Sequence, residues 1–225
     1  MIQINQRLKK VSEYIKGDYL ADIGSDHAYL PIYAIENNLT ARAIAGEVIR
    51  GPFDASVKNV RAHGLESVIS VELGDGLTVL KTDNAITSIT ICGMGGPLIT
   101  KILRAGQEKL TNRPRLILQS NIQSQPIRVL LQQLNYTIVD EVLMTEKGHT
   151  YEIIVADYSP EIKNLSLLEL KFGPILLSQK SELFYQKWER ELTALEHILT
   201  QLNQTTHRER ITEIENEIQM IKEVL

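Results

Sequence analysis

The chain has 225 residues, a hydrophobic fraction of 43% and a formal net charge of −4. This length predicts one substantial core plus a smaller appendage, and the acidic balance excludes binding of nucleic acid through overall positive charge. Cys92 is the only cysteine, which excludes an intrachain disulfide, and the five histidines show no metal-ligand spacing, so no metal is expected.

Residues 1–10 lack the apolar region of a signal peptide, and no apolar run approaches the roughly 18 residues of a membrane span. We therefore expect a soluble, cytoplasmic protein without membrane contacts. Residues 5–15 carry Leu8, Val11 and Ile15 at helical spacing and predict a short first helix. Arg7 lies on its other side, where the spacing allows either a reach towards a site or a solvated side chain.

Residues 20–33 read as strand, tight loop and helix, with Pro31 suited to the first helical turn. Such a unit presents a nucleotide-type ligand at the carboxyl end of the first strand. Asp22, Gly24, Asp26 and Ala28 form a degenerate version of the glycine-rich dinucleotide motif. Asp26 would repel a pyrophosphate but suits the cationic S-adenosylmethionine. The alternative is a loop in which Asp or Ser merely caps the helix.

Residues 41–47 predict a second strand that ends at Glu47. Glu47 follows Gly24 by 23 residues, close to the spacing at which an acid reaches ribose hydroxyls. The alternative is a solvated strand-end acid. After a helix over 51–63, a third strand over 68–73 leads to Gly74-Asp75-Gly76, where Asp75 could accept from an adenine amino group. Gly-Asp-Gly is also an ordinary turn.

The β-branched run 86–92 predicts a fourth, buried strand, with Cys92 as a core thiol. Glycines 93, 95 and 96 follow it, where they would let a flat substrate approach the backbone or form a flexible turn. A helix is predicted over 98–110. Basic residues are concentrated on this helix and just after it. They either contact phosphates or form a solvated face. They are Lys101, Arg104, Lys109, Arg113 and Arg115.

Residues 115–120 predict strand five and 121–134 a loop and helix, and 136–145 and 151–158 alternate as an antiparallel pair. Five βα units followed by a hairpin match the seven-stranded methyltransferase sheet. A boundary at 159–160 divides the chain into a Rossmann-like domain, 1–159, and a connector with a coiled-coil domain, 160–225.

The second segment has hydrophobic residues spaced three and four apart from Tyr185 to Leu202 and from Ile211 to Leu225, with a break at 203–206. This pattern predicts an antiparallel coiled-coil hairpin. Residues 161–225 contain eight Lys or Arg and eleven Glu. Charge therefore does not single out the hairpin as an RNA clamp, and a dimerisation arm is equally consistent.

The sequence resembles the bacterial tRNA (adenine(22)-N(1))-methyltransferases over nearly its whole length. The resemblance is carried by residues 20–31, 74–76, 91–96, 118–121 and 151–153 and by the C-terminal hairpin. The combination Asp-His-Ala-Tyr-Leu-Pro with Cys-Gly-Met-Gly-Gly is its most specific part. It implies a class I methyltransferase that uses S-adenosylmethionine on nitrogen-1 of adenine 22 in tRNA. We expect a monomer or weak dimer.

This reaction needs no strong base, because nitrogen-1 of adenine carries a lone pair and no proton. Asp26 is the candidate that stabilises the adenine cation, with His27 positioning the base edge and Tyr29 as a stacking surface. His27 could instead satisfy the loop backbone, and Tyr29 could be core. The predicted cofactor-binding residues are Asp22, Gly24, Glu47, Asp75, Gly76, Cys92 and Gly93.

Two other functions remain open on the sequence. A methyltransferase of small molecules usually has a lid over its substrate, and no insertion is present that would build one. A non-catalytic RNA-binding protein with the same fold would have no need of Asp22, Glu47 and Asp75. Methylation assays and cofactor binding distinguish these alternatives.

Overall fold

The computed structural model describes residues 1–81, 85–161, 164–203 and 206–225. These residues divide into two compact units, Met1–Leu165 and Ser166–Leu225. The domain boundary at 159–160 stays a prediction about which part of the chain folds by itself.

The first unit is built on one seven-stranded sheet in the order β3-β2-β1-β4-β5-β7-β6. Strands β1 to β5 are parallel, and β7 is antiparallel to both β5 and β6. The predicted seven-stranded α/β sheet is thereby confirmed. The strands are β1 (Tyr19–Ile23), β2 (Arg42–Glu47), β3 (Ile69–Leu73), β4 (Ser88–Met94), β5 (Arg115–Ser120), β6 (Tyr136–Glu146) and β7 (His149–Tyr158).

Five helices accompany the described part of this sheet: α1 (Gln6–Ser12), α2 (Tyr29–Glu36), α3 (Arg50–Ala62), α4 (Gly96–Ala105) and α5 (Gln125–Gln133). The central strands β4 and β5 have nearly continuous apolar runs because neighbouring elements cover both faces of the sheet. Ile89, Ile91, Leu116 and Leu118 are fully inaccessible to solvent. The central strands are thus buried in the core of the first unit.

One helical prediction needs correction. The helix expected over 98–110 ends at Ala105, because Gly106 leaves helical geometry before a short 3-10 turn over Gln107–Lys109. The connector expected after residue 160 contains two short helices, α6 (Leu167–Phe172) and α7 (Pro174–Gln179). Gly173 separates them with φ +90°, a conformation that L side chains rarely adopt.

The basic stretch does not form one open cationic face. Arg115 donates from Nε and Nη2 to the carboxylate of Asp157 at 2.8 and 2.6 Å, and this bond holds the pKa of Asp157 below its usual value. The guanidinium of Arg113 lies 4.0 Å from the ring centroid of Tyr158. Arg104 also donates, at 3.1 Å, to a glutamine side chain of α5. Three of the five predicted phosphate contacts therefore have partners within the first unit.

The second unit also contains the long helices α8 (Glu182–Gln201) and α9 (Arg208–Val224). Phe184, rather than Tyr185, is the buried aromatic residue at the start of α8. Lys222 on α9 pairs with Glu196 on α8 at 2.8 Å. The coiled-coil hairpin remains a prediction, and residues 204–205 of the expected break lie outside the described residues.

A charged cluster lies inside the first unit, between α5 and the β6–β7 pair. Arg128 is fully buried and donates from Nε to Glu141 at 2.7 Å and from Nη2 to Glu152. Burial acts to lower the pKa of Arg128, but the two carboxylates hold it above its ordinary value. Charges in a dry interior persist only when paired in this way.

Over residues 1–81, 85–161, 164–203 and 206–225, no helix is long and apolar enough to cross a membrane. The same residues contain no group of three or more His, Cys, Asp or Glu side chains that could hold a metal ion.

Candidate active site

The candidate site lies where β1 runs between β2 and β4. Ile23 at the end of β1 is in register with Gly46 of β2 and with Ile91 of β4, and Glu47 is in register with Leu73 of β3. The carboxyl ends of these four parallel strands therefore form one edge. The chain reverses its direction of strand addition at β1 and β4, which is where doubly wound sheets bind ligands.

Asp22 is a buried acid whose two oxygens are both engaged by the protein. Ser25 Oγ donates to Oδ2 at 2.7 Å and Thr90 Oγ1 donates to Oδ1 at 2.6 Å. Burial raises its pKa to about 6, against the lowering effect of the two hydroxyls. Asp22 thus connects the first loop to β4 and adds a buried acidic group at the end of β1. Direct contact with a cofactor stays a prediction.

The loop after β1 has an unusual backbone. Gly24 has φ +71°, and Asp26, His27 and Ala28 follow with φ of +48°, +73° and +59°. Left-handed conformations are uncommon outside glycine and cost on the order of 1–3 kcal/mol per residue. Consecutive strained residues persist only when the surroundings hold them, and such sites cluster at ligand-binding positions.

Hydrogen bonds from neighbouring residues hold this loop in its conformation. The backbone N–H groups of Gly24 and Ser25 both donate to the carbonyl of Gly46, at 2.9 and 3.1 Å. The N–H of His27 donates to Glu47 Oε1 at 3.2 Å, and its carbonyl accepts from Asn59 Nδ2 at 3.0 Å. The residue capping α2 is Ala28, without any side-chain cap bond. The capping interpretation of Asp or Ser in this loop is therefore wrong.

Glu47 is oriented from one side and open on the other. It is 5% exposed, and its Oε1 accepts from the N–H of His27 and from Ser56 Oγ at 2.8 Å. No described residue donates to Oε2. One oxygen thus fixes the carboxylate, and the other remains available to accept hydrogen bonds from a diol.

Asp75 follows β3 and exposes its side chain, and among the described residues only its backbone carbonyl is engaged, by Thr78. Gly76 has φ +55°, and a Cβ there would come within 3.0 Å of Ile102. Because Gly76 fits tightly against α4 at this point, a side chain would displace the turn. We refer to Asp22, Asp26, Glu47 and Asp75 together as the acidic cradle.

The three predicted catalytic side chains lie together at the rim of the loop. The Asp26 side chain is 84% exposed, and its Oδ1 lies 3.4 Å from Nε2 of His27. The rings of His27 and Tyr29 have centroids 5.5 Å apart, and Tyr29 is 39% exposed, so it is not a core residue. The backbone N–H of His27 serves the loop, while its ring remains half-exposed.

Across from this loop, β4 ends in a β-bulge at Gly93, which has φ +76°. The N–H of Gly93 donates to Gln119 Oε1 at 2.8 Å, and its carbonyl accepts from Asn121 Nδ2 at 2.8 Å. Cys92, one residue earlier, is half-buried, and burial raises the pKa of its thiol. Cys92 is therefore a protonated thiol at neutral pH, as expected for a packing residue.

Sequence reasoning assigned no role to Gln119 or Asn121 and left Arg7 open. Arg7 is not a solvated residue, because its Nη1 donates to Gln119 Oε1 and its guanidinium lies 5.2 Å from the ring centroid of Tyr151. A signal was present for Gln119. It is a polar residue directly after the apolar run 116–118 of a central strand, and it is fully buried.

The three glycines of the turn have different functions. A Cβ on Gly96 would lie 1.8 Å from the carbonyl oxygen of Gln123, so Gly96 is required for packing against the β5–α5 loop. A Cβ on Gly95 would meet only ordinary contacts, beginning at 3.5 Å with Ile122. The expectation that all three admit a flat substrate therefore does not hold for Gly96.

The strand order, the antiparallel β7 and the acid-rich first loop define a class I methyltransferase. The chain matches the family model for tRNA (adenine(22)-N(1))-methyltransferase over residues 20–223. It is 42% identical to the tRNA (adenine(22)-N(1))-methyltransferase of Bacillus subtilis, over 100% of this chain and 98% of that protein. The chain therefore belongs to the tRNA (adenine(22)-N(1))-methyltransferase family, as its resemblance predicted.

Solved structures agree with this assignment. A Streptococcus pneumoniae protein in complex with S-adenosyl-L-methionine has a TM-score of 0.90 and 42% identity, covering 99% of this chain and 100% of that chain. M. capricolum TrmK in complex with S-adenosyl-homocysteine has a TM-score of 0.88 and 32% identity, covering 98% and 96%. The predicted class I methyltransferase fold is confirmed.

Proposed function

We propose that this protein transfers a methyl group from S-adenosylmethionine to nitrogen-1 of adenine 22 in tRNA. The observation that carries this function is the acidic cradle, which faces the Gly93 bulge along one sheet edge in a chain that belongs to this family. The predicted cofactor is confirmed by the relatives solved with S-adenosyl-L-methionine and with S-adenosyl-homocysteine.

The residues of the cradle fit this cofactor. In this proposal Glu47 accepts from the ribose hydroxyls through its open Oε2, and the exposed Asp75 accepts from the adenine amino group. Gly24, Gly76 and Gly93 leave room along the strand ends, and Cys92 lines the same edge as a neutral thiol. Acids at these positions attract a sulfonium and an ammonium group and disfavour a pyrophosphate.

The bound cofactor supplies an electrophilic methyl group on a cationic sulfur. Nitrogen-1 of adenine attacks with its own lone pair, so the protein needs to extrude the base, align it and exclude water. Positive charge then develops on the adenine ring, and we assign its stabilisation to the exposed carboxylate of Asp26. His27 positions the base edge, and Tyr29 offers a stacking surface.

The decisive experiment is methylation of an unmodified tRNA transcript by the purified protein, with the modified position mapped. We expect one methyl group at nitrogen-1 of adenine 22 and no product from a transcript in which that adenine is replaced by guanine. A panel of small metabolites, assayed in parallel, should remain unmethylated. Methylation of a metabolite but not of tRNA would contradict the proposed substrate.

Glu47→Ala should weaken the binding of S-adenosylmethionine by about 1–3 kcal/mol, because a charge-assisted hydrogen bond to ribose is lost. Ser56→Ala is the matched control, since it removes one hydrogen bond to Oε1 and leaves the carboxylate in place. We expect a loss of no more than about 1 kcal/mol for this control. Titration calorimetry that finds unchanged affinity in Glu47→Ala would exclude the ribose assignment.

A chain that ends at Leu165 should bind S-adenosylmethionine yet lose tRNA methylation. All residues of the acidic cradle lie within the unit Met1–Leu165, and α8 and α9 lie beyond it. Circular dichroism would first show that the shortened chain is folded, and methylation of the tRNA transcript would then be measured. Full activity would assign the C-terminal unit to another task, such as dimerisation.

We further propose that the protein acts in the cytoplasm, where its tRNA substrate is found, as a monomer or weak dimer. Analytical ultracentrifugation at micromolar concentrations tests the oligomeric state, and a stable dimer or larger assembly would contradict the proposal.

A further inference from the structure

Three residues close a ring of hydrogen bonds at the end of β4. We call this set, formed by the Gly93 peptide groups and the side chains of Gln119 and Asn121, the amide ring. Gly93 N–H donates to Gln119 Oε1 at 2.8 Å, Gln119 Nε2 donates to Asn121 Oδ1 at 3.1 Å, and Asn121 Nδ2 donates to the Gly93 carbonyl at 2.8 Å. The β-bulge at Gly93 makes this possible, because it frees both peptide groups from the strand ladder.

Arg7 and the Gly93 N–H together fix the direction of the ring. Both Arg7 Nη1 and the Gly93 N–H are donors, so the atom of Gln119 that meets them must be its amide oxygen. The Gln119 nitrogen then faces Asn121, which must present its own oxygen there and its nitrogen to the Gly93 carbonyl. Arg7 is itself held over the ring of Tyr151, with its backbone N–H on Glu146.

Asn121 is exposed and has hydrogen-bonding capacity to spare. Its amide has two N–H groups and two oxygen lone pairs, and the amide ring uses one of each. One N–H and one lone pair remain, and they point to different sides of the planar amide, because the ring already engages its oxygen and its nitrogen together. The free N–H is thus a donor of fixed orientation beside the Gly93 bulge.

The chemistry of the reaction restricts how the enzyme can read its base. Nitrogen-1 is the nucleophile and must stay free of hydrogen bonds, so the Watson–Crick edge cannot be fully used for recognition. The N6 amino group and N7 remain on the Hoogsteen edge, and together they offer one donor and one acceptor. A free N–H of an asparagine amide is a suitable donor to N7.

We propose that Asn121 donates its free N–H to N7 of the target adenine, and that Arg7 and Gln119 are positioning residues that fix the Asn121 amide. This inference rests on the proposed function. It assigns recognition of the Hoogsteen edge to the β5 side of the site, opposite the loop that carries Asp26.

The test compares two tRNAs that carry either adenine or 7-deazaadenine at position 22, prepared by joining synthetic halves. 7-Deazaadenine lacks only the N7 acceptor. The ratio of kcat/KM for adenine over 7-deazaadenine should be about 10-fold larger for the wild type than for Asn121→Ala, the size expected for one hydrogen bond. The altered reactivity of nitrogen-1 in the analogue affects both proteins equally and cancels in this comparison.

Equal ratios in the wild type and Asn121→Ala would overturn the proposal, whatever their absolute rates. Asn121→Ser replaces Asn121→Ala if the latter is too slow to measure. Ile122→Ala is the matched control, because it alters the adjacent exposed side chain without an amide and should retain the wild-type ratio. Methylation of the adenine transcript by the wild type reports the proposed function separately, and an inactive wild type would remove both proposals.

Gln119→Glu tests the positioning role. The variant retains an oxygen for Arg7 and for the Gly93 N–H, but it replaces the donor to Asn121 with a second acceptor. We expect the adenine to 7-deazaadenine ratio to fall towards that of Asn121→Ala, while the affinity for S-adenosylmethionine measured by calorimetry stays within about 2-fold of wild type. A wild-type ratio in this variant would show that Asn121 does not depend on Gln119 for its orientation.

Discussion

Replacing Asp26 with asparagine is expected to lower the turnover of tRNA methylation by about 10²–10³-fold, as when one preorganised electrostatic partner is lost. The carboxylate would otherwise stabilise the positive charge that reaches the adenine ring. Binding of S-adenosylmethionine should change much less, because the proposed ribose and adenine contacts of Glu47 and Asp75 are not altered. The effect should therefore appear in the single-turnover rate rather than in cofactor affinity.

The local structure indicates that Asp26→Asn changes the charge and leaves the loop conformation as it is. Asp26 has φ +48°, and asparagine adopts left-handed conformations about as readily as aspartate. Its side chain is 84% exposed and makes no cap bond to α2, so no buried group loses a partner. Asp26→Asn should keep the loop in place and remove only the charge.

Single-turnover rates and calorimetric affinities, measured on the same preparation, decide the role of Asp26. Asp18→Asn is the matched control, because it removes one exposed negative charge just before β1, at the opposite edge of the sheet. We expect near-normal turnover for this control. Near-normal turnover in Asp26→Asn would move the search for the stabilising group to His27 and to the backbone around Gly93.

Arg128→Met is expected to destabilise the first unit by about 3–5 kcal/mol, the usual cost of removing one partner from a buried ionic cluster. Glu141 and Glu152 would be left in the interior without their guanidinium partner. Urea unfolding followed by circular dichroism should show a clearly lower midpoint than for the wild type. An unchanged midpoint would mean that water or other groups compensate the carboxylates.

The pH dependence of this variant has a defined sign. Without Arg128, the folded state favours protonation of the buried carboxylates more than the unfolded state does, so stability falls as pH rises. The deficit relative to wild type should therefore be smaller near pH 5 than near pH 8. The triple variant Arg128→Met, Glu141→Leu, Glu152→Met is the control, because it removes all three charges and should regain most of the loss.

The elements of the first unit could be predicted from the sequence because their signals are local. Alternation, apolar runs and glycine punctuation located all seven strands, and Glu47 was placed at the end of β2, where the structure has it. The preference for a cationic cofactor also came from a local feature, the acid at position 26 of the first loop. The helix after β4 is shorter than predicted, because Gly106 ends it while the apolar spacing continues to Leu110.

The sequence by itself thus determined the family, the order of elements, and which acids follow which strands, because each depends on neighbouring residues. Only the tertiary structure decided which distant side chains meet. Arg7 and Gln119 are separated by 112 residues, and Gly93 and Asn121 by 28. Their contacts depend on the β4–β5 register, on the bulge at Gly93 and on the packing of α1. No periodicity along the chain encodes those relations, so the amide ring becomes visible only in the folded protein.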